Sequence, residues 1–238
     1  MSKGSMIGKA SKTVAVLAAM VIVGSCGGST PAPVVITLTF IRNAQSAADA
    51  AGVINTDIPG PELTFEGKKQ AQRVLNQAGH NNNFDSVYAS TRAEAQQTAV
   101  PIATQLQRRV VILDGLQPIE AGWFNGKPQT MAPSTYLLAP MDWLNGDTRN
   151  SIPGSMNGVQ FNDQFTGAVN KIYHDGHLRP VVFSQGAAIM VWTLMNTKNG
   201  NPRLLTEHPL PNIGYVVVTG NPTHGWTLVD WNGVRHFR

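Results

Sequence analysis

The stretch LTFIRNAQS, Leu38–Ser46, decides how this chain is read. The β-branched apolar run VVITLTFI, Val34–Ile41, reads as a strand buried on both faces, and it passes straight into Arg42, Asn43 and the small polar groups of Gln45 and Ser46. In an open α/β sheet, ligands sit beyond the carboxyl ends of the strands, so a strand ending in a charged side chain marks the mouth of a site. Two other segments share the design: YASTRAEAQQTA, Tyr88–Ala99, and VVFSQGAAI, Val181–Ile189. Placed side by side, the three bring Arg42, Asn43, Arg92, Ser184 and Gln185 to one rim. Two arginines converging on a pocket favour a phosphate group, because each planar guanidinium can hold two phosphate oxygens at once.

Working outward, short β-branched runs alternate with amphipathic segments. TFEGKKQAQRVLNQAG, Thr64–Gly79, puts Ala71, Val74, Leu75 and Ala78 on one helical face, with Thr64 as N-cap and Gly79 as stop. FDSVYAS is a second strand, RAEAQQTAVPIATQLQ a helix kinked or interrupted at Pro101, and VVILDGL a third strand. QFNDQFTGAVNKIYHDG is a further helix, PVVFS a fourth strand and AAIMVWTLMN a buried helix. YVVVTG and WTLVDWNG close the chain as an antiparallel pair turning around Asn221 to Gly225. Strands separated by helices of this length imply a three-layer α/β sandwich, a mainly parallel sheet with helices on both faces. Residues 123–158 break the rhythm, being rich in Gly, Pro, Asn and aromatics. They form either a lid over the site or an irregular cap that shields the sheet.

With 238 residues, 42% hydrophobic and 13% charged, the chain has material for one sizeable core. Its first residues belong elsewhere. MSKGSMIGKASK carries three lysines and no acid, and TVAVLAAMVIVGS follows as an apolar run of export-signal length, too short to span a bilayer comfortably. The run ends in small residues before Cys26, the single cysteine, and VGSC, Val23–Cys26, resembles a bacterial lipobox. The organisation is therefore a signal peptide over 1–25, a lipidated tether over 26–33 and one domain over 34–238. The resemblance implies cleavage before Cys26, diacylglycerol on its thiol, and anchoring at the outer face of the cytoplasmic membrane. The alternative is an ordinary secreted protein with an incidental thiol. Without Lys3, Lys9 and Lys12 the chain keeps 15 basic residues against 14 acidic ones, so the pI of 9.4 belongs largely to the leader. No basic run is interleaved with aromatics, which argues against a nucleic-acid partner. One cysteine permits no internal disulfide framework.

At this point the motifs resemble the histidine phosphatase superfamily, the phosphoglycerate-mutase-like fold. The family pattern has a strand ending in Arg-His-Gly, then L-T-x-x-G-x-x-Q-A, matched by Leu63, Thr64, Gly67, Gln70 and Ala71. Next comes S-x-x-x-R-A-x-Q-T-A, approximated by STRAEAQQTA with Arg92 taken as the second phosphate-binding arginine. L-x-E-x-x-x-G-x-x-x-G-K is matched by LQPIEAGWFNGK except at its acid, and a strand ending in Ser-His-Gly by FSQGAAI. The resemblance is to a degenerate member of mycobacterial lipoprotein type. The nucleophilic histidine corresponds to Asn43, the following glycine to Ala44, the second histidine to Gln185 and the general acid to Pro118. Amides can hydrogen-bond a phosphate but can neither carry a phosphoryl group nor shuttle protons near neutral pH.

Two function classes follow. In the first, a binding module recognises a phosphorylated small molecule or lipid-linked phosphosugar through Arg42, Asn43, Arg92 and Gln185, with Gln45 and Ser46 beside them. The lost imidazoles favour a phosphodiester over a dianionic monoester. Trp123, Phe124 and Trp143 either offer ring faces to a sugar or only pack the cap. In the second class, Glu120 acts as general base on a substrate hydroxyl that attacks its own phosphodiester; the plainer reading makes Glu120 a solvated acid. If no ligand binds, a third class, a scaffold contacting another envelope protein, comes forward. No cofactor is implied and no oligomeric state is named. HDGH, His174–His177, has a spacing compatible with a metal, yet no third ligand is evident and a turn explains it. Ser184 lacks the glycine two residues before it that a nucleophile elbow needs.

Overall fold

The computed structural model describes Met1, Ser2, Gly4 and residues 32–78 and 83–237. Contacts divide the chain into Met1–Ala32 and Pro33–Arg238. The rest of the leader, Cys26 with the tether to residue 31, Gly79 and the Ala78 side chain lie outside what is described.

In chain order the second unit runs β1 (Ile36–Arg42), α1 (Ala47–Ala51), α2 (Phe65–Ala78), β2 (Ser86–Ala89), α3 (Ala93–Gln105) and β3 (Val110–Ile112). It continues with α4 (Leu138–Leu144), α5 (Gly158–His174), β4 (Pro180–Ser184), α6 (Gly186–Asn196), α7 (Leu204–Glu207), β5 (Tyr215–Asn221) and β6 (Gly225–Trp231). The sheet order is β3-β2-β4-β1-β5-β6. β3, β2, β4 and β1 are mutually parallel, and β5 pairs antiparallel with both β1 and β6. This is the mainly parallel sheet the alternation of elements implies.

Alternating side chains feed two separate cores. Leu38, Phe40, Tyr88 and Val182 enter one with Phe161 and Phe165 of α5 and Trp192 of α6. Ile41, Val87, Ala89, Val181 and Phe183 enter the other with Val74 of α2 and Ala95, Ala99 and Ile102 of α3. The two-residue period of a strand explains why unbroken apolar runs were needed: neither face meets water. Pro101 sits inside α3, so the helix continues through it.

Thr64 caps α2 as its sequence predicts, its Oγ1 accepting from Gly67 N at 2.9 Å. Gly67 also presses on the loop after β1, where a Cβ would run into the Gln45 carbonyl oxygen. Gly67→Ala is expected to cost about 1–3 kcal/mol through this clash, measured as a lower urea midpoint with unchanged slope.

The span 123–158 is more regular than its composition suggests. It holds α4 and two 3₁₀ stretches, Gly122–Phe124 and Gln129–Ser134. Tyr136, Ala139, Trp143 and Ile152 from this span are buried in the larger core. Short helices of mixed composition have no sustained period, which is why the pattern did not declare them.

Candidate functional site

The carboxyl edge of the sheet is assembled by register. Arg42 of β1 stands opposite Ser184 of β4, and Ala89 of β2 opposite Phe183. Asn43 N then donates to Ser184 O at 3.0 Å, and Ser90 N to Phe183 O at 3.0 Å. The three strand ends thus open into one cavity of about 260 Å³. Arg42, Asn43, Ser46, Arg92 and Gln185 all line it.

Gly186 is required here. A Cβ on it would meet Arg42 Cδ at 2.9 Å, so the missing side chain lets Arg42 lie across the first turn of α6. That turn adds the unpaired N–H groups and partial positive charge of a helix start. Gln185 is the N-cap of α6 but makes no side-chain cap bond; its amide lines the cavity, where Nε2 donates at long range to Glu94 Oε1 at 3.3 Å and Ser90 Oγ at 3.4 Å.

Both guanidiniums are already ion-paired. Arg42 donates from Nη2 to Asp49 Oδ1 at 2.8 Å and from Nη1 to Leu210 O at 2.7 Å, leaving Nε without a partner among the described residues. Asp49 is placed by a capping box at the start of α1: its Oδ2 accepts from Ser46 N at 2.9 Å, and Ser46 Oγ accepts from Asp49 N at 3.1 Å. Burial works against the Asp49 charge, but the Arg42 guanidinium and the Ser46 hydrogen bonds outweigh it and hold the carboxyl below its ordinary range. Arg92, 1% exposed, donates from Nε to Glu94 Oε1 at 2.8 Å, from Nη1 to Asp57 O, and from Nη2 to Asn55 O at 3.0 Å. Burial pushes the Glu94 carboxyl above its ordinary range, and Arg92 only partly offsets it.

This corrects the sequence reading of the arginine motif. Counted back from Gln97, Thr98 and Ala99, the S-x-x-x-R-A-x-Q-T-A pattern fits Ser90 and Ala95 and puts Glu94, not Arg92, at the arginine's place. The signal was available, but Arg92 followed by Ala93 imitates the arginine-alanine pair two residues early. Asp49 was also missed; its signal was the Ser46-x-x-Asp49 capping box.

Other expectations separate as well. Asn43 is 4% exposed and donates to Ala44 O at 2.9 Å. Gln45 turns away from the cavity, its Oε1 accepting from Thr64 Oγ1 at 2.7 Å. Pro118 lines the cavity, whereas Glu120 is exposed and does not. Because Ile119 and Ala121 on either side of it are fully buried, the chain there turns Glu120 to solvent. Trp143 stacks on Phe161 in the core, its ring centre 5.8 Å away, and Trp123 is 75% exposed; neither reaches the cavity, where Tyr136 is the aromatic wall. Ser184 is wholly buried and donates to Leu116 O at 2.7 Å, so it is not a nucleophile. His174 and His177 face different partners, Asn170 O and Asp85.

Comparisons with known proteins agree with this architecture. Residues 38–233 match the model of the histidine phosphatase superfamily, branch 1. The PE-PGRS family protein PE_PGRS11 of Mycobacterium tuberculosis is 40% identical in an alignment of 214 residues that covers 84% of this chain; the chain spans 37% of that relative's length. Among solved structures, a mycobacterial glucosyl-3-phosphoglycerate phosphatase superposes with a TM-score of 0.69 at 16% identity, covering 84% of this chain and 100% of that one. A phosphoserine phosphatase of Entamoeba histolytica in complex with 3-phosphoglyceric acid gives 0.66 at 22% identity, covering 85% and 100%. Those likenesses carry the fold, and the family model carries the lineage: the chain belongs to the histidine phosphatase superfamily, branch 1.

Proposed function

We propose that this chain is an exported lipoprotein, anchored through Cys26 to the outer face of the cytoplasmic membrane of a mycobacterial type of envelope. Its degenerate site binds a phosphorylated ligand, a phosphosugar or lipid-linked phosphosugar, without phosphohistidine catalysis. The observation that carries the reading is Asn43, buried beside Arg42 where the family's nucleophile belongs. An amide there can donate to a phosphate oxygen but cannot form and release a phosphoryl intermediate. Arg42 Nε, the Gln185 amide and the first turn of α6 supply the donors for one phosphate group. Neutral planar side chains around them, Asn55 and Gln129 among them, suit the hydroxyls of an attached sugar.

The test is phosphorus NMR on the full chain in detergent micelles, with phosphomonoesters and sugar phosphodiesters offered in parallel. The expected result is ligand line-broadening on the diesters with no new phosphorus signal; release of orthophosphate from any monoester would end the proposal. Asn43→His alone is expected to leave monoester turnover at background and to trap no phosphorus-32. Gln185, Pro118 and Glu94 still stand where the second imidazole, the acid and the second arginine would be needed. Membrane attachment is checked separately: Cys26→Ala is expected to move the chain from the membrane fraction to the medium.

A further inference from the structure

One group in the cavity wall does nothing for a phosphorylated ligand as it stands. Glu94 is 2% exposed; its Oε1 accepts from Arg92 Nε at 2.8 Å and from Gln185 Nε2 at 3.3 Å. Its Oε2 is buried and has no hydrogen-bond partner among the described residues. The pair is backed by Gly60, at φ +78°, where a Cβ would meet the Arg92 guanidinium carbon at 2.6 Å and Glu94 Oε2 at 2.8 Å.

We propose that Glu94 is the charge filter of this cavity: its carboxylate occupies, between Arg92 and Gln185, the place that an anionic ligand's oxygens would need. The site therefore admits neutral hydroxyl-bearing and singly charged groups and takes a dianion only when Glu94 also takes up a proton. This rests on the reading that the cavity binds a phosphorylated ligand, and adds the charge that ligand must carry. Arg92 has its donors committed to Glu94, Asp57 O and Asn55 O, and cannot turn to a ligand without stranding a buried carboxylate. Arg42 is the cation with a spare donor, and Asp49 already offsets its charge.

The charged and titratable groups that line the cavity with Glu94 are Arg92 at the start of α3, Arg42 of β1, Asp49 of α1 and the Tyr136 phenol, with the neutral Gln185 amide at the start of α6; Asp57 contributes only its backbone carbonyl, its carboxylate being turned to solvent. With Arg42, Asp49, Arg92 and Glu94 all ionised the cavity wall sums to zero, and one proton on Glu94 leaves a single positive charge for an anion. The orphaned Oε2 is the atom that would receive it. Burial, which raises this carboxyl above its ordinary range, makes that proton easier to take up than at an exposed glutamate.

Sulfate is the probe, because it stays a dianion across the range. Titration calorimetry on the full chain in detergent is expected to show sulfate binding at least about tenfold tighter at about pH 5.5 than at about pH 8, with about one proton taken up per sulfate. E94Q is expected to bind sulfate at about pH 8 as tightly as the wild type does in acid, with a flat pH profile. Equal affinity of E94Q and wild type at about pH 8, or no sulfate binding by either protein at any pH, would overturn the proposal. The proton count, from wild-type titrations in two buffers of different ionisation heat, stands even if E94Q fails to fold; a count of zero also overturns it. A sugar phosphodiester titrated alongside separates the two readings. Its binding with no influence of Glu94 on sulfate sinks the filter alone, and its failure to bind sinks the proposed ligand class.

Discussion

Arg92→Met is expected to destabilise the domain by about 3–5 kcal/mol near neutral pH, the largest single effect of any side chain in the site. The guanidinium is 1% exposed and is the counter-ion of a carboxylate that is 2% exposed. Its removal leaves Glu94 buried without a partner and strands the carbonyls of Asp57 and Asn55, which it also satisfies. Urea unfolding measures the loss. Arg92→Met combined with Glu94→Leu is expected to recover more than half of it, because the cost lies in the unpaired charge rather than in the missing bond. The sign of the pH dependence follows from the same pair. A carboxyl whose folded pKa stands above its unfolded value contributes stability below the unfolded value and loses it as pH rises through the folded one. Without Arg92 the Glu94 carboxyl stands higher still, so the gap between variant and wild type shrinks as the solution is acidified. Asp49, held low by Arg42, behaves oppositely and loses its contribution as pH falls, but it is common to both proteins and cancels in the comparison. A penalty that stays constant from neutral to acid pH would show that Glu94 does not titrate as described.

Trp192→Ala is expected to cost about 3–5 kcal/mol and, at about 2–4 °C per kcal/mol for a domain of this size, to lower the melting temperature by roughly 10 °C. The indole is fully buried in α6, its ring 5.5 Å from that of Phe165, 5.3 Å from Phe40 and 6.3 Å from Trp226. It therefore ties α5, β1 and β6 to the helix whose first turn supplies Gln185 and Gly186. Its Nε1 donates to Thr166 Oγ1 at 3.0 Å, so Thr166→Val, which removes only that acceptor, is expected to cost about 1 kcal/mol. Calorimetric melting of the two variants separates ring packing from the hydrogen bond. If the alanine variant melts within a few degrees of the wild type, the larger core does not close around this ring.

The layered fold was legible because its signals are local. Leu38 and Phe40 alternate with Thr39 and Ile41 whatever the rest of the chain does, and Ala71 and Val74 recur at helical spacing on the same terms. The strand ends were legible too, since Arg42 stands directly after, and Gln185 one serine beyond, apolar runs that can only be interior strands. Trp143 was not legible as a core residue, because an aromatic in a Gly- and Pro-rich span has no neighbour pattern to say which way it faces. Gln45, two residues from Asn43, shows the same limit. Its direction depends on where the start of α2 comes to rest, a contact made across nineteen residues of chain.

By itself the amino-acid order determined that an α/β sheet would bring Arg42, Asn43 and Gln185 to one rim. That is a statement of residue type and period, which the chain carries before it folds. The tertiary structure alone decided that the rim holds two closed ion pairs rather than two free cations. Asp49 and Glu94 lie close in sequence to their arginines, yet a carboxylate on an open helix turn would face water. Burying Arg92 with Glu94, and half-burying Arg42 with Asp49, at the edge of a cavity is what forces each charge onto the other, and only the packed chain determines which groups are removed from solvent together.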